Sequence, residues 1–294
     1  MALRSVRYLP LALLPALVPR EMGQTASKTE GDGEGLYRLH RHGRSGDAGP
    51  GPTFVLVHGI GMSHRYFDRL QAELLDSGDV AVFDLPGFGG TPRPSRRFGV
   101  ADYAHLMGQA LEQAQLSSCV LVGHSMGAQF VTELALQRPD LVSTVVLIGP
   151  VTDTAHPSAM RHAVSLALDS LVERPSTNLL VAGAYLRCGI RWYLTEVPVM
   201  LGYRLDDQLA RVAQPVLILR GAIDAIAGRD WCQRLGRAAR RALVVEVPGQ
   251  PHGAHRGAAP LVAREIVDFL DRHCSSTVSE DRRHPPETEL PDGP

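Results

Sequence analysis

A serine flanked by glycines stands where a strongly apolar run gives way to a helical pattern. The apolar residues 119–122 precede the segment GHSMG at residues 123–127, and the helix-like sequence AQFVTELALQ follows. This is a G-x-S-x-G turn with a strand before it and a helix after it, the context that exposes a serine hydroxyl for attack on a carbonyl carbon. Glycines suit so sharp a turn, because side chains there would collide with neighbouring chain. Ser125 is therefore the candidate nucleophile.

A serine nucleophile needs a base, and the base needs an acid that orients it. Asp224 follows the apolar run PVLIL, and His252 follows the run ALVVEV within the pattern PGxxH. The chain order Ser125, Asp224, His252 is one of the known orders of a Ser-His-Asp triad. Two alternatives stay open: His255 as the base, and Asp153, which follows the run TVVLIGP, as the acid.

Six short apolar runs alternate with segments of helical spacing. The runs end in glycine-bearing turns: FVLVHG, VAVFDLPG, CVLVGHSMG, TVVLIGP, PVLILRG and ALVVEVPG. Continuous apolar runs of this length are typical of strands buried on both faces. The fold class predicted is α/β, with a mainly parallel sheet flanked by helices and the candidate residues at the carboxyl ends of its strands.

The chain divides into five predicted segments. Between residues 151 and 213 helical patterns occur without a convincing strand, which predicts a helical insertion that roofs the site as a lid. The polar end of the chain is predicted to be disordered. The segments are 1–52, an apolar stretch and then a flexible linker; 53–150, the first part of the core; 151–213, the lid insertion; 214–274, the second part of the core; and 275–294, the tail.

Composition excludes several classes of function. Of 294 residues, 44% are hydrophobic and 21% are charged, and the formal net charge is −1, which gives no electrostatic reason for a nucleic-acid partner. The four cysteines form no Cys-x-x-Cys pair, so neither a zinc site nor a disulfide framework is expected. His252 and His255 lack the helical register of a metal-binding pair. We expect no metal and no cofactor.

The N-terminus carries an ambiguous targeting signal. Arg4 and Arg7 precede an apolar stretch at residues 8–18 that is too short to span a bilayer and contains Pro10 and Pro15. No stable membrane insertion is expected. We predict a cytoplasmic protein, with export or membrane association left open.

From about residue 53 to residue 273 the chain resembles the α/β-hydrolase superfamily, in its esterase-like branch related to the C–C hydrolases and the cofactor-free haloperoxidases. The residues HGIG at 58–61 match the HGxG loop of that superfamily. The resemblance implies that the backbone N–H groups of Ile60 and Met126 form the oxyanion hole. The segment DLPGFGGT resembles a structural turn of the family, so Asp84 is expected to have no catalytic role.

The reaction predicted is acyl transfer through an acyl-enzyme, on a small-molecule ester with an apolar or aryl group. The insertion is rich in leucine and aromatic residues but also contains Arg161, Arg187 and Arg191, which could recognise a carboxylate. A C–C bond hydrolase of the meta-cleavage type is therefore an alternative. Ala128 stands where C–C hydrolases often have a second glycine, which favours the ester. A non-enzymatic binding protein of the same fold is a third hypothesis, and the oligomeric state stays open.

Overall fold

A single sheet of eight strands organises the computed structural model, which describes residues 27–30, 35–44, 51–151, 153 and 175–281. The strands are β1 (Ser27–Glu30), β2 (Arg38–His42), β3 (Thr53–Val57), β4 (Asp79–Asp84), β5 (Cys119–His124), β6 (Val142–Ile148), β7 (Val216–Gly221) and β8 (Ala242–Val247). Their order is β1-β2-β4-β3-β5-β6-β7-β8. The six strands from β3 to β8 are parallel to their neighbours, whereas β1 and β2 pair antiparallel at one edge.

Helices cover both faces of the sheet. Side chains alternate along the strands, so that Val55 points into one core and Phe54 into the other. The helices are α1 (Asp68–Leu74), α2 (Val100–Gln113), α3 (Gly127–Gln137), α4 (Pro175–Cys188), α5 (Ile190–Gly202), α6 (Leu205–Leu209), α7 (Arg229–Ala238), α8 (Ala254–Gly257) and α9 (Ala259–Asp281). Helices α2, α3 and α7 pack on the Val55 side, and α1, α8 and α9 pack on the Phe54 side.

The central strands explain why the apolar runs predicted this fold. Every residue of β5 and of β7 is buried, because helices cover both of their faces. The prediction of a mainly parallel sheet flanked by helices is confirmed.

Between β6 and β7 the described residues form three helices, α4, α5 and α6, and no strand. We name α4 and α5 the insertion helices. Residues 154–174 of the predicted insertion, which include Arg161, lie outside the described residues. No helix in the described ranges is long and apolar enough to cross a membrane.

Two predicted boundaries differ from the structure. The folded body does not begin at residue 53, because β2 already pairs with β4 and β1 pairs with β2. In β2 only Leu39 is buried, so this strand lacks the apolar run that marks a central strand. The predicted tail from residue 275 begins as helix, since α9 continues to Asp281 and no proline or glycine interrupts it. Residues 1–26, with the apolar stretch, and 282–294 lie outside the described part.

Candidate active site

Ser125 occupies a sharp turn between β5 and α3. Its φ angle is +57°, in the left-handed region that side-chain-bearing residues adopt rarely and at a cost in energy. Its backbone N–H donates to the carbonyl of Ile148 at 3.0 Å. The two glycines of the turn permit this conformation, because a Cβ on Gly123 would overlap the backbone of Gly127, and a Cβ on Gly127 would overlap the carbonyl of Val57.

Asp224 and His252 form a hydrogen-bonded pair on the loops that follow β7 and β8. Nδ1 of His252 lies 2.9 Å from Oδ2 of Asp224, and both residues are buried. The other carboxylate oxygen, Oδ1, accepts the backbone N–H groups of Ile226 and Ala227, each at 2.8 Å. Burial would raise the pKa of Asp224, but the neighbouring His252 and the hydrogen bonds outweigh it and lower that pKa. The acid is therefore held as a carboxylate.

The carboxyl end of β6 lies between the serine and this pair. Ile148, its last residue, holds the backbone of Ser125, and the next residue, Gly149, touches the imidazole. A Cβ on Gly149 would lie 2.9 Å from Nδ1 of His252 and 3.3 Å from Oδ2 of Asp224. The structure thus brings Ser125, Asp224 and His252 together around one strand end.

The two rival residues have other partners. The carboxylate of Asp153 forms an ion pair with the guanidinium of Arg234 on α7. His255 is completely buried, with its ring 4.7 Å from that of Tyr66 and 5.0 Å from that of Phe67. Burial first, and then the charge of His252, lower the pKa of His255 to about 3, so its ring stays neutral. Of the two histidines, His252 is the one bonded to a carboxylate.

His124 supports the loop that carries His252. Its Nε2 lies 3.2 Å from the carbonyl oxygen of His252, and because a carbonyl only accepts, that nitrogen carries the proton. Burial lowers the pKa of His124 well below its usual value, so the ring is neutral. This contact orients the loop after β8, whose His252 bonds Asp224 through its imidazole.

The HGIG loop, residues 58–61, lies directly against the serine. A Cβ on Gly59 would be 2.8 Å from Cβ and 3.3 Å from Oγ of Ser125. His58 fixes the loop: its Nε2 accepts the N–H of Leu85 at 3.2 Å, so Nδ1 carries the proton donated to Gly59 O at 2.8 Å. Ile60 is the residue after Gly59 in this loop, and Met126 is the residue after Ser125; their part as oxyanion donors stays a prediction.

A second group of histidines surrounds the carboxylate of Asp84 at the end of β4. Oδ2 lies 2.9 Å from Nε2 of His40 and 2.7 Å from Nδ1 of His64, and Oδ1 accepts the N–H of His64 at 2.8 Å. Burial would raise the pKa of Asp84, but these hydrogen bonds lower it far below its usual value. The three side chains have metal-ligating atoms within 4.8 Å of one another. The hydrogen bonds to Asp84 explain why the three side chains lie together. Through them, His40 on β2 and His64, which follows the HGIG loop, are held at the end of β4.

Arg220 is a supporting residue that the sequence analysis missed. Its buried guanidinium donates from Nε to the carbonyl of Ala227 at 2.9 Å and from Nη2 to that of Asp224 at 3.3 Å. Nη1 lies 3.2 Å from a carboxylate oxygen of Glu246 on β8. Arg220 therefore fixes the turn that presents the acid, and a charged residue ending the apolar run VLIL was the signal that could have found it.

Aromatic side chains of the insertion helices lie over the loops of the site. A Cβ on Gly61 would overlap the ring of Tyr185 from α4, and a Cβ on Gly87 would overlap the indole of Trp192 from α5. The ring of Tyr193 stands 5.2 Å from that of Tyr185. The inner side of these helices is thus aromatic where it meets the HGIG loop.

Comparisons with known proteins agree with this fold. A family model described as alpha/beta hydrolase fold matches residues 52–188. A 2-(acetamidomethylene)succinate hydrolase of Mesorhizobium japonicum is 26% identical over 250 residues, which are 76% of this chain and 90% of that protein. A bromoperoxidase from Bacillus anthracis has a TM-score of 0.68 at 20% identity, covering 84% of this chain and 100% of that one. An enol-lactonase from Burkholderia xenovorans has a TM-score of 0.68 at 18% identity, covering 80% of this chain and 97% of that one.

The structural matches establish the fold, and the family model and the curated relative extend the agreement to sequence. The chain therefore has the α/β-hydrolase fold, and the family model and the curated relative support a hydrolase of that fold.

Proposed function

We propose that this hydrolase cleaves small apolar or aryl carboxylic esters through a serine acyl-enzyme. The observation that carries the proposal is the 2.9 Å hydrogen bond between His252 and Asp224, beside a serine whose φ angle is +57°. A strained nucleophile with an oriented base is what acyl transfer requires.

In the proposed mechanism, Oγ of Ser125 attacks the ester carbonyl while Nε2 of His252 takes its proton. Asp224 keeps the proton of the imidazole on Nδ1 and stabilises the imidazolium that forms. The N–H groups of Ile60 and Met126 stabilise the negative oxygen of the tetrahedral intermediate, at about 3 kcal/mol for each donor. His252 then protonates the leaving alcohol. In the second half of the reaction a water molecule attacks the acyl-enzyme while His252 takes a proton from that water, and His252 then returns the proton to Oγ of Ser125.

The charge around the site supports an uncharged substrate. Arg187 and Arg191, two of the arginines that could recognise a carboxylate, are exposed to solvent. The contacts between the insertion helices and the loops of the site are instead aromatic, from Tyr185 and Trp192. An apolar or aryl group suits such a surface better than a dicarboxylate.

The test is covalent labelling with a fluorophosphonate, followed by hydrolysis of p-nitrophenyl esters of graded chain length. We expect wild type to be labelled, Ser125→Ala to be neither labelled nor active, and Ser143→Ala, the control on β6, to behave as wild type. Absence of labelling on folded wild-type protein would favour a non-enzymatic binding protein. A vinylogous 1,5-diketone tests the other alternative, since faster turnover of the diketone than of any ester would replace ester hydrolysis by C–C cleavage.

A further inference from the structure

Exposed apolar side chains are concentrated on the insertion helices. Among the described residues, five large hydrophobic side chains are more than half exposed, and four of them belong to α4 and α5. Their exposed fractions run from 59% to 84%: Leu179, Leu186, Ile190 and Leu194. We name these four residues the outer apolar face. Such clustering marks an interaction surface, whereas single exposed leucines are ordinary.

Helical spacing puts these residues on the side of each helix that faces away from the core. Leu179 and Leu186 are seven residues apart in α4, and Ile190 and Leu194 are four apart in α5, so each pair shares one side of its helix. The opposite sides are buried through residues such as Ala184 and Trp192. A helix that is apolar on both sides is normally buried on both. In the described part of the chain, the outer sides of α4 and α5 are therefore exposed although their composition favours burial.

The insertion helices carry only positive charges from residue 175 to residue 195. The sequence has no aspartate or glutamate from residue 175 to residue 195, and Arg187 and Arg191 are exposed within that stretch. Two further arginines reach the same helices from the loop before α2. Arg93 donates to the carbonyl of Cys188 at 3.1 Å, and Arg97 donates to that of Thr195 at 3.4 Å.

We propose that the outer apolar face docks onto an anionic phospholipid surface. Leu179, Leu186, Ile190 and Leu194 would enter the boundary between headgroups and acyl chains, and the arginines would contact lipid phosphates, as in helices that lie in the plane of a membrane. Arginine suits this place because its long apolar stem lies along the surface while the guanidinium reaches the phosphate. A second copy of the chain docked on the same face would bring arginines against arginines, which favours the lipid.

Docking would also hold the candidate active site close to the lipid. The outer face and the aromatic inner contacts belong to the same two helices, and the inner contacts reach Gly61 and Gly87. An apolar ester dissolved in the lipid would then have a short path to Ser125. The docking itself does not depend on the proposed reaction.

The experiment is co-sedimentation of the full chain with sucrose-loaded vesicles. We expect binding to phosphatidylcholine vesicles with about 30% phosphatidylglycerol, and at least about fivefold weaker binding to pure phosphatidylcholine. High salt should weaken the binding to anionic vesicles, because it screens the arginines. Equal binding to neutral and anionic vesicles, or none to either, would overturn the proposal.

Matched variants locate the surface. Leu186→Ser/Ile190→Ser and Arg187→Gln/Arg191→Gln should each reduce binding about tenfold while keeping the circular dichroism spectrum of wild type. Arg240→Gln/Arg241→Gln removes the same charge from an exposed turn before β8 and should bind as wild type. Wild-type binding by both outer-face variants, or an equal loss in the control, would contradict the assignment.

Two alternative interpretations predict different results. Loss of binding on deletion of residues 2–22, with normal binding by the outer-face variants, would make the N-terminal stretch the anchor and overturn the proposal. A wild-type dimer that Leu186→Ser/Ile190→Ser converts to monomer, without vesicle binding, would assign the face to a second copy and also overturn it. Hydrolysis of a short water-soluble ester, measured on the same samples, separates failure of docking from failure of the proposed function.

Discussion

Replacing Asp224 by asparagine is the sharpest test of the candidate triad, because the structure dictates which way the new amide must face. Oδ1 of Asp224 accepts two backbone N–H groups, from Ile226 and Ala227, at 2.8 Å each. An amide NH₂ in that position would set donor against donor and lose both hydrogen bonds, at a cost of about 1–3 kcal/mol each. The NH₂ group must therefore face Nδ1 of His252.

An NH₂ group facing Nδ1 forces that nitrogen to accept, which moves the proton of the imidazole to Nε2. In the proposed mechanism Nε2 takes the proton from Ser125, so the substitution disables the base without any change in packing. We expect kcat to fall about 10⁴-fold, equivalent to about 5 kcal/mol of transition-state stabilisation, with little change in KM.

The assay is steady-state hydrolysis of a p-nitrophenyl ester by wild type, Asp224→Asn and Asp153→Asn. The control should keep kcat within about twofold of wild type, because the carboxylate of Asp153 forms an ion pair with Arg234. A variant Asp224→Asn that retains more than about a tenth of wild-type kcat would refute the reasoning, as would an equal loss in the control.

Three further changes test the framework of the site, each by urea unfolding. Gly127→Ala should lose about 3 kcal/mol or fail to fold, because its Cβ would overlap the carbonyl of Val57, whereas Gly202→Ala, where a Cβ meets nothing within 4 Å, should be nearly neutral. Glu196 is buried, and burial raises its pKa from 4.5 to about 7. The folded protein therefore binds this proton more tightly than the unfolded chain, and the free energy of unfolding should fall by about 3 kcal/mol as pH rises from 4.5 to 7. Glu196→Gln should remove that part of the pH dependence, and an unchanged slope would contradict the assignment. Asp84→Asn should cost about 2 kcal/mol at pH 7, because an amide oxygen that faces the two imidazoles sets its NH₂ group against the backbone N–H of His64. An unchanged urea midpoint would contradict a structural role of these hydrogen bonds.

The central fold was predictable because strands that are buried on both faces have continuous apolar sequences. The runs that became β5 and β7 are continuous and apolar, and Ser125, Asp224 and His252 each follow such a run. Parallel strands end at the same edge of a sheet, so this placement alone predicts that the three residues meet.

The choice between rival residues was not predictable, because it depends on contacts between distant parts of the chain. Asp153 and Asp224 both follow parallel strands, and only the path of the loop beyond β6 turns Asp153 towards Arg234. In the sequence, Arg220 is only the polar end of an apolar run. Its ion pair with Glu246 on the next strand depends on the pairing of β7 with β8. Strand β2 lies outside the predicted core, because only Leu39 of this strand is buried and it therefore has no apolar run.

The two antiparallel strands at the edge of the sheet, β1 and β2, determine how the protein can be shortened. Trimming the chain to begin at residue 53 would remove both and leave β4 as an open edge. The N–H and C=O groups of β4 that face β2 would then be unpaired along the apolar sequence VAVFD. Exposed edges of this kind pair with other molecules, so a shortened protein would tend to aggregate. It would also lose His40, one of the two imidazoles on Asp84. A stretch with no proposed part in catalysis thus protects the solubility of the whole chain.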